Sequence, residues 1–303
     1  MNFSEEIRKK KPTISDSTVK SYNSMLRSIH KSVFKDEEGK SQNFCKSTEI
    51  MEFLMTKPVN TRKTFLAALI SICPDVGIYK TQMNEDLKAY KKEIDKAEMT
   101  DKLKENAISD DEIDGIYASL KSNFKTLIKK QNLDVAELME AQQYVILSMY
   151  HGHILPRRST DYILMKYKNF DKKTDNYVDM ANDRLVFNVY KTAMRMGETL
   201  KGRQELDIPR SLRKILKKWI SVIPEGSDYL FFNSILGPLS NVTLNQRLNK
   251  IFGSKKGVNA LRHFYLTKTY STLMQQNEKM AGEMDAMGSD IAQAKYYVRT
   301  NEK

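Results

Sequence analysis

Cysteine is nearly absent from this chain. Cys45 and Cys73 are the only two among 303 residues, so no disulfide framework is indicated. No second Cys or His pair stands at ligand spacing to suggest a zinc site. Long apolar runs are missing too: none approaches the ~20 residues that span a bilayer. The opening Met1-Asn-Phe-Ser-Glu-Glu has no charged region followed by an apolar one, which argues against a secretory leader. An intracellular protein is expected, in cytoplasm or nucleus, with no membrane partner. Carboxylates do not cluster at metal-ligand spacing, and there is no internal repeat or low-complexity segment. Acidic residues are in deficit, 38 against 50 Lys and Arg, which leaves a net charge of +12 and a pI near 9.4. Positive charge spread along the whole length favours a polyanionic partner over a small-molecule substrate.

What is present is a folded chain. A hydrophobic share of 40% over 303 residues supports sizeable cores and about two domains. Over residues 15–34, Val19, Tyr22, Leu26, Ile29 and Val33 recur at helical spacing behind a Ser/Asp cap. Further helices are expected at Ser47–Met55 and Thr61–Ile72, the latter with Phe65, Leu66, Leu69 and Ile70 as its stripe and Pro74 as its stop. Lys20, Arg27, Lys31, Arg62 and Lys63 are expected on the polar faces of this bundle, where they could meet phosphates. The charged, apolar-poor segment from Tyr90 to Asn106 reads as a linker with helical tendency. The division is thus an N-terminal helical domain over 1–98, a linker over 99–107 and a second domain over 108–303.

The second domain opens at Ile108-Ser-Asp-Asp-Glu-Ile113, which has the form of a capping box from Ser109 to Glu112 with Ile108 and Ile113 as its hydrophobic staple. Helices are expected at 135–151 and 211–222. Between them the alternation of Leu185, Phe187 and Val189 suggests a strand with Lys191 at its end, and Gln204–Ile208 could pair with it. The fold class is mainly α, with a small antiparallel sheet inside the second domain.

Four separated motifs in this second part carry chemistry. Leu155-Pro-Arg-Arg-Ser-Thr-Asp161 places Arg158 three residues before Asp161, with Arg157 as the alternative. Phe187-Asn-Val-Tyr-Lys-Thr192 ends on Lys191. Gly257-Val-Asn-Ala-Leu-Arg-His-Phe264 holds Asn259, Arg262 and His263. Ala286-Met-Gly-Ser-Asp-Ile-Ala-Gln-Ala-Lys-Tyr-Tyr297 ends on two tyrosines. A phenol that attacks a phosphodiester stores the bond energy in a covalent phosphotyrosine. Two arginines can hold the non-bridging oxygens bidentately, and a lysine can protonate the departing oxygen.

In order and separation these motifs resemble those of the tyrosine recombinase (phage-type integrase) family, most closely its divergent members in large DNA viruses and virophages. The likeness covers the chain from about residue 105 onward and, more weakly, the first helix. The resemblance implies an N-terminal core-binding-like domain and an α-rich catalytic domain closing around double-stranded DNA. It further implies site-specific cleavage and rejoining through a 3′-phosphotyrosine, without cofactor or metal, by a homotetramer on two DNA sites. A virion or an infected cell would then be the setting. Carried over residue by residue, Arg158 and Arg262 hold the phosphate, Lys191 is the general acid, Asn259 and His263 assist, and Tyr297 is the nucleophile beside Tyr296. Two positions depart from the family. Asn259 and Gly288 stand where histidines are common, and Asn259 could equally cap a helix starting at Ala260. His151 and His153 are candidates to compensate. A catalytically silent DNA-binding protein and a type IB topoisomerase-like enzyme are the alternatives.

Overall fold

A computed structural model of the chain describes residues 2–35, 41–95, 101–191, 193–195, 198–199 and 202–290. The chain divides into two compact units, Met1–Met99 and Thr100–Lys303, mainly helical with a small antiparallel sheet in the second.

The first unit contains α1 (Ser4–Lys10), α2 (Asp16–Val33), α3 (Ser47–Met55), α4 (Val59–Ile72) and α5 (Gly77–Asp95). Ser15 starts α2: its hydroxyl accepts the Thr18 N–H at 3.3 Å, and Val19, Leu26 and Ile29 then turn inward. They meet Ile7, Ile50, Leu54, Leu66, Leu69 and Ile72 in one core, each fully buried Leu or Ile contributing about 2 kcal/mol. The 100° step of a helix brings Lys20, Arg27 and Lys31 within an arc of about 40°. All three are exposed on α2, about 120° round the helix from the centre of its buried stripe.

Arg62 and Lys63 do not share that exposure. The Arg62 guanidinium turns inward and donates from Nε and Nη2 to Asp86 at 2.8 and 2.5 Å, its side chain 11% exposed against 2% for the carboxylate. A carboxylate that deep needs a cation within reach, so Arg62 is spent inside the unit. The ammonium of Lys63 lies 3.4 Å from the centre of the Tyr90 ring, a cation–π contact that holds it half-buried.

In the second unit, α6 (Asp101–Glu105) falls where a linker is expected. It is followed by α7 (Asp110–Leu127), α8 (Val135–Ser148) and the short α9 (Ser159–Tyr162). The expected box at Ser109 is only half made: Ser109 accepts the Glu112 N–H at 3.2 Å. The Glu112 carboxylate is instead taken by the Lys256 ammonium, at 2.5 and 2.7 Å. The reciprocal box occurs at α8, between Asp134 and Glu137. Ile108 and Ile113 are both buried in the core, as a staple should be. α8 ends at Ser148, short of residue 151, and is buried almost all round.

The sheet comprises β1 (Tyr177–Asp179), β2 (Arg184–Phe187) and, across an intervening hairpin of β3 (Met194–Arg195) and β4 (Glu198–Thr199), β5 (Gln204–Asp207). The order is β1-β2-β5, antiparallel throughout, with Leu185 opposite Leu206. The expected alternation fails. Val186 is buried along with Leu185 and Phe187, because both faces of β2 are covered, and Val189 is 59% exposed beyond the strand. Asn176 ends the strand: its Oδ1 accepts the N–H groups of both Asn188 and Val189 at 2.8 Å. Lys191 therefore lies exposed in the turn after β2, not on the strand. The remaining helices are α10 (Arg210–Ile220), α11 (Asn241–Phe252) and α12 (Val258–Ala286). Trp219 of α10 is fully buried, and its indole N–H donates to the Leu230 carbonyl at 2.8 Å. Among the described residues no helix is long and apolar enough to cross a membrane.

The Arg62–Asp86 pair makes a direct test of how charge is used in the first unit. Asp86→Ala leaves a guanidinium buried without its partner, and chemical denaturation should show a loss of about 3–5 kcal/mol. A loss below about 1 kcal/mol, the range of exposed pairs, would mean that Arg62 faces solvent.

Candidate active site

The first arginine motif forms the short approach to α9. The acid three residues after Arg158 is claimed by its neighbour: Arg157 Nε donates to Asp161 Oδ2 at 2.8 Å. Arg157 Nη1 donates to Gln204 Oε1 on β5 at 2.8 Å, and the guanidinium carbon sits 3.9 Å from the centre of the Phe187 ring of β2. A carboxylate side chain that is only 5% exposed needs this charge beside it. Arg157 thereby ties the loop, α9, β2 and β5 into one platform. Arg158 is the N-cap residue of α9, half-buried, and among the described residues its side chain has no hydrogen bond or ion pair. The motif spacing marks Arg158, with Arg157 as the alternative; it is Arg157 that pairs with Asp161, reaching it from the extended segment before α9, where Arg158 has φ −71° and ψ 156°.

Lys191 follows Tyr190, whose ring centre is 5.2 Å from the Arg157 guanidinium carbon and whose hydroxyl donates to the Gly202 carbonyl at 2.7 Å. Lys191 thus stands at the edge of the same platform.

The third motif opens α12. The helix starts at Val258, not Ala260, with Gly257 as N-cap, so Asn259 lies within the first turn and is not the cap. The capping oxygen comes from a different helix: Asn245 of α11 accepts the Val258 N–H with Oδ1 at 3.0 Å. This explains the glycine, since a Cβ at position 257 would fall 2.2 Å from that oxygen. Asn259 and His263 are exposed one turn apart on the same face of α12. Arg262 is half-buried, one turn beyond buried Val258 and beside buried Leu261. Lys256, just before α12, pairs with Glu112, and Lys268, nearly three turns into the helix, pairs with Asp110, so two of the three acidic residues in the first turn of α7 meet this segment.

A tyrosine relates the first motif to the third. Tyr150 packs edge-on against Tyr162 at 5.7 Å, and Tyr162 against Phe187 at 6.0 Å. Burial holds the Tyr150 phenol well above its ordinary range, reinforced by Tyr162 and Asp161, while the positive charge of Arg262 acts on it in the opposite sense. Arg262 is therefore near enough for its charge to act on Tyr150, which packs on Tyr162. Sequence reading missed Gln204, Tyr150 and Asn245, whose roles are defined by partners far along the chain.

The fourth motif is described only as far as Asp290; Tyr296 and Tyr297 lie outside the described residues. Gly288 has a clear structural reason. Its φ is +70°, its N–H donates to the Asp285 carbonyl and that of Ser289 to the Met284 carbonyl, each at 2.9 Å. This is the Schellman ending of α12, a left-handed position that favours glycine over histidine. The helix-ending glycine is itself a sequence signal for that role.

His151 and His153, the candidates to compensate, each have partners of their own. His151 stacks on Tyr117 at 3.8 Å and its Nε2 lies 2.7 Å from Asp114 Oδ1. His153 is held between the Tyr117 hydroxyl at 2.9 Å and the Ser211 hydroxyl at 3.0 Å. Both rings are engaged with residues of α7 and α10.

Two measurements test these placements. Gly257→Ala should cost about 1 kcal/mol, the worth of a cap, because Asn245 must swing off Val258; in an Asn245→Ala background the same change should cost close to nothing. Equal costs in both backgrounds, measured by a double-mutant cycle, would show that the two residues are uncoupled. The second concerns pH. Burial, then His151 and Lys121, lower the His153 pKa below its ordinary 6.5. The unfolded chain therefore binds the proton first, and stability falls as pH drops below that value. His153→Gln should flatten the decline of melting temperature between about pH 7 and pH 5; an unchanged slope would show that His153 titrates alike folded and unfolded.

No protein-family model matches this chain, and no curated protein matches it. Among solved structures it is similar to the crystal structure of XerA recombinase, with 13% sequence identity over 88% of this chain and 83% of that one and a TM-score of 0.36. So loose a likeness transfers no residue role.

Proposed function

We propose that this protein cuts and rejoins double-stranded DNA through a covalent phosphotyrosine. Tyr297 attacks the scissile phosphorus and the 5′ oxygen departs, taking a proton from Lys191; the reverse attack by a DNA hydroxyl reseals the strand. Arg158 and Arg262 hold the two non-bridging oxygens, with Asn259 and His263 donating from the exposed face of α12. In this reading Arg157 is a positioning residue. Its guanidinium is committed to Asp161 and Gln204 and is 14% exposed, whereas Arg158 next to it has its donors available. The single observation that supports the reading is that Arg157, held on Asp161, Gln204 and Phe187, ties α9, β2 and β5 into one platform, with half-buried Arg158 next to it in the chain and Lys191 following Tyr190 at its edge. The exposed row of Lys20, Arg27 and Lys31 supports a phosphate-tracking role for α2, where each phosphate neutralised releases roughly 0.9 counterion. The resemblance further suggests a homotetramer bridging two DNA sites.

Covalent trapping on a nicked duplex that cannot religate tests the proposal. Wild type should form an adduct stable to denaturant; Tyr297→Phe should form none while retaining DNA affinity, and Tyr296→Phe should remain competent. Arg158→Ala should slow adduct formation by about 10²-fold or more without changing thermal stability. Arg157→Ala should lower thermal stability as well, because it leaves Asp161 buried without its cation. An adduct formed by Tyr297→Phe but not by Tyr296→Phe moves the nucleophile by one residue. DNA binding with no adduct from wild type replaces the enzyme with a binding protein of the same lineage.

A further inference from the structure

We propose that Cys45 and Cys73 are a thiol modification site, closing to a reversible intramolecular disulfide when the protein meets a peroxide. Far apart in sequence, the two sulfurs lie 3.0 Å from one another. Bond formation requires an approach of about 1 Å more, within what two side-chain rotations supply.

Both ends rest on well-held backbone. Cys45 closes a 3₁₀ turn, Ser41–Cys45, anchored by its neighbour Phe44. That ring is fully buried, edge-on to Phe3 at 5.1 Å and to Phe34 at 6.2 Å, and its carbonyl accepts the Tyr79 hydroxyl at 2.7 Å. Cys73 is the C-cap of α4, its N–H donating to the Leu69 carbonyl at 2.7 Å, and the preceding carbonyl of Ile72 accepts from the Lys10 ammonium.

The two thiols differ in access. Cys45 is exposed and Cys73 is buried. Burial first, and then the contact with Cys45, push the Cys73 thiol up to about 12. The buried thiol therefore stays protonated and shielded, and the exposed one meets the oxidant. Cys45 sulfur attacks peroxide, the O–O bond breaks, and a sulfenic acid and one water form. Cys73 sulfur then attacks Cys45 sulfur; the S–O bond breaks and the departing hydroxide takes the Cys73 proton as a second water. Two thiols have lost two electrons and the peroxide has gained them, and a small dithiol reverses the change. Closure would join positions 28 apart in sequence, tying the 3₁₀ turn to the end of α4.

The experiment uses the full chain, treated with hydrogen peroxide, quenched, unfolded and alkylated. The expected product has neither thiol alkylated, an intact mass two hydrogens lighter and a linked Cys45–Cys73 peptide, all reversed by dithiothreitol. The melting transition of the first unit should rise by roughly 10 °C on closure. In Cys45→Ser, Cys73 should stay alkylatable after peroxide. In Cys73→Ala, Cys45 should halt as a sulfenic acid that a dimedone probe captures. Wild type that retains two alkylatable thiols, carries Cys45 to the sulfinic acid, or forms dimers through Cys45 would overturn the proposal. The readout is thiol chemistry alone, so neither result bears on DNA cleavage.

Discussion

The burial of one carboxylate sets much of the arrangement in the second unit. Asp161 is 3% exposed, and a charge so placed is tolerated only beside a cation held in good geometry. Arg157 supplies that cation and, because its guanidinium has donors on several edges, reaches Gln204 of β5 while lying flat on Phe187 of β2. The loop after α8, the short α9 and two strands are thereby referred to one side chain. Whatever Arg158 and Lys191 do, they do it from the rim of a platform that Arg157 makes rigid.

α12 is positioned by a second set of constraints, at its start and over its first three turns. Asn245 caps it from α11, Lys256 is paired to Glu112, and Lys268 to Asp110. A helix end has N–H groups without intrahelical partners; here one is satisfied by a side chain of the preceding helix, which also requires a glycine at 257. On this helix Arg262 is half-buried, and Asn259 and His263 lie outward.

The basic surplus divides accordingly. Arg62 and Arg157 are drawn into ion pairs with Asp86 and Asp161, and Lys256 into one with Glu112. Lys20, Arg27 and Lys31 remain outward along α2. A net charge of +12 describes the whole chain, and only the second kind of cation can meet a polyanion. The same partition separates the two thiols, one exposed and one buried, although they touch.

Local features were legible in the sequence because their partners lie within a turn or two. The Ser15 cap, the span Ser47–Met55 and the Ile108–Ile113 staple follow from spacing alone, and the pairing of residues 204–208 with β2 is anticipated from their place in the chain, although the alternation expected of β2 is not there. The box at Asp134–Glu137 and the helix-ending Gly288 carried equally local signals. What depended on distant partners was not legible: the choice between Arg157 and Arg158 for Asp161, the diversion of Glu112 to Lys256 across 144 residues, the cap lent by Asn245, the inward turn of Arg62, and the meeting of Cys45 with Cys73. Helix and strand periodicity reports which face of an element is apolar, and that much the amino-acid order determined by itself. Which charge lies against which, and which sulfur against which, only the tertiary structure decided, because a buried ion or a thiol takes the partner that packing brings to it.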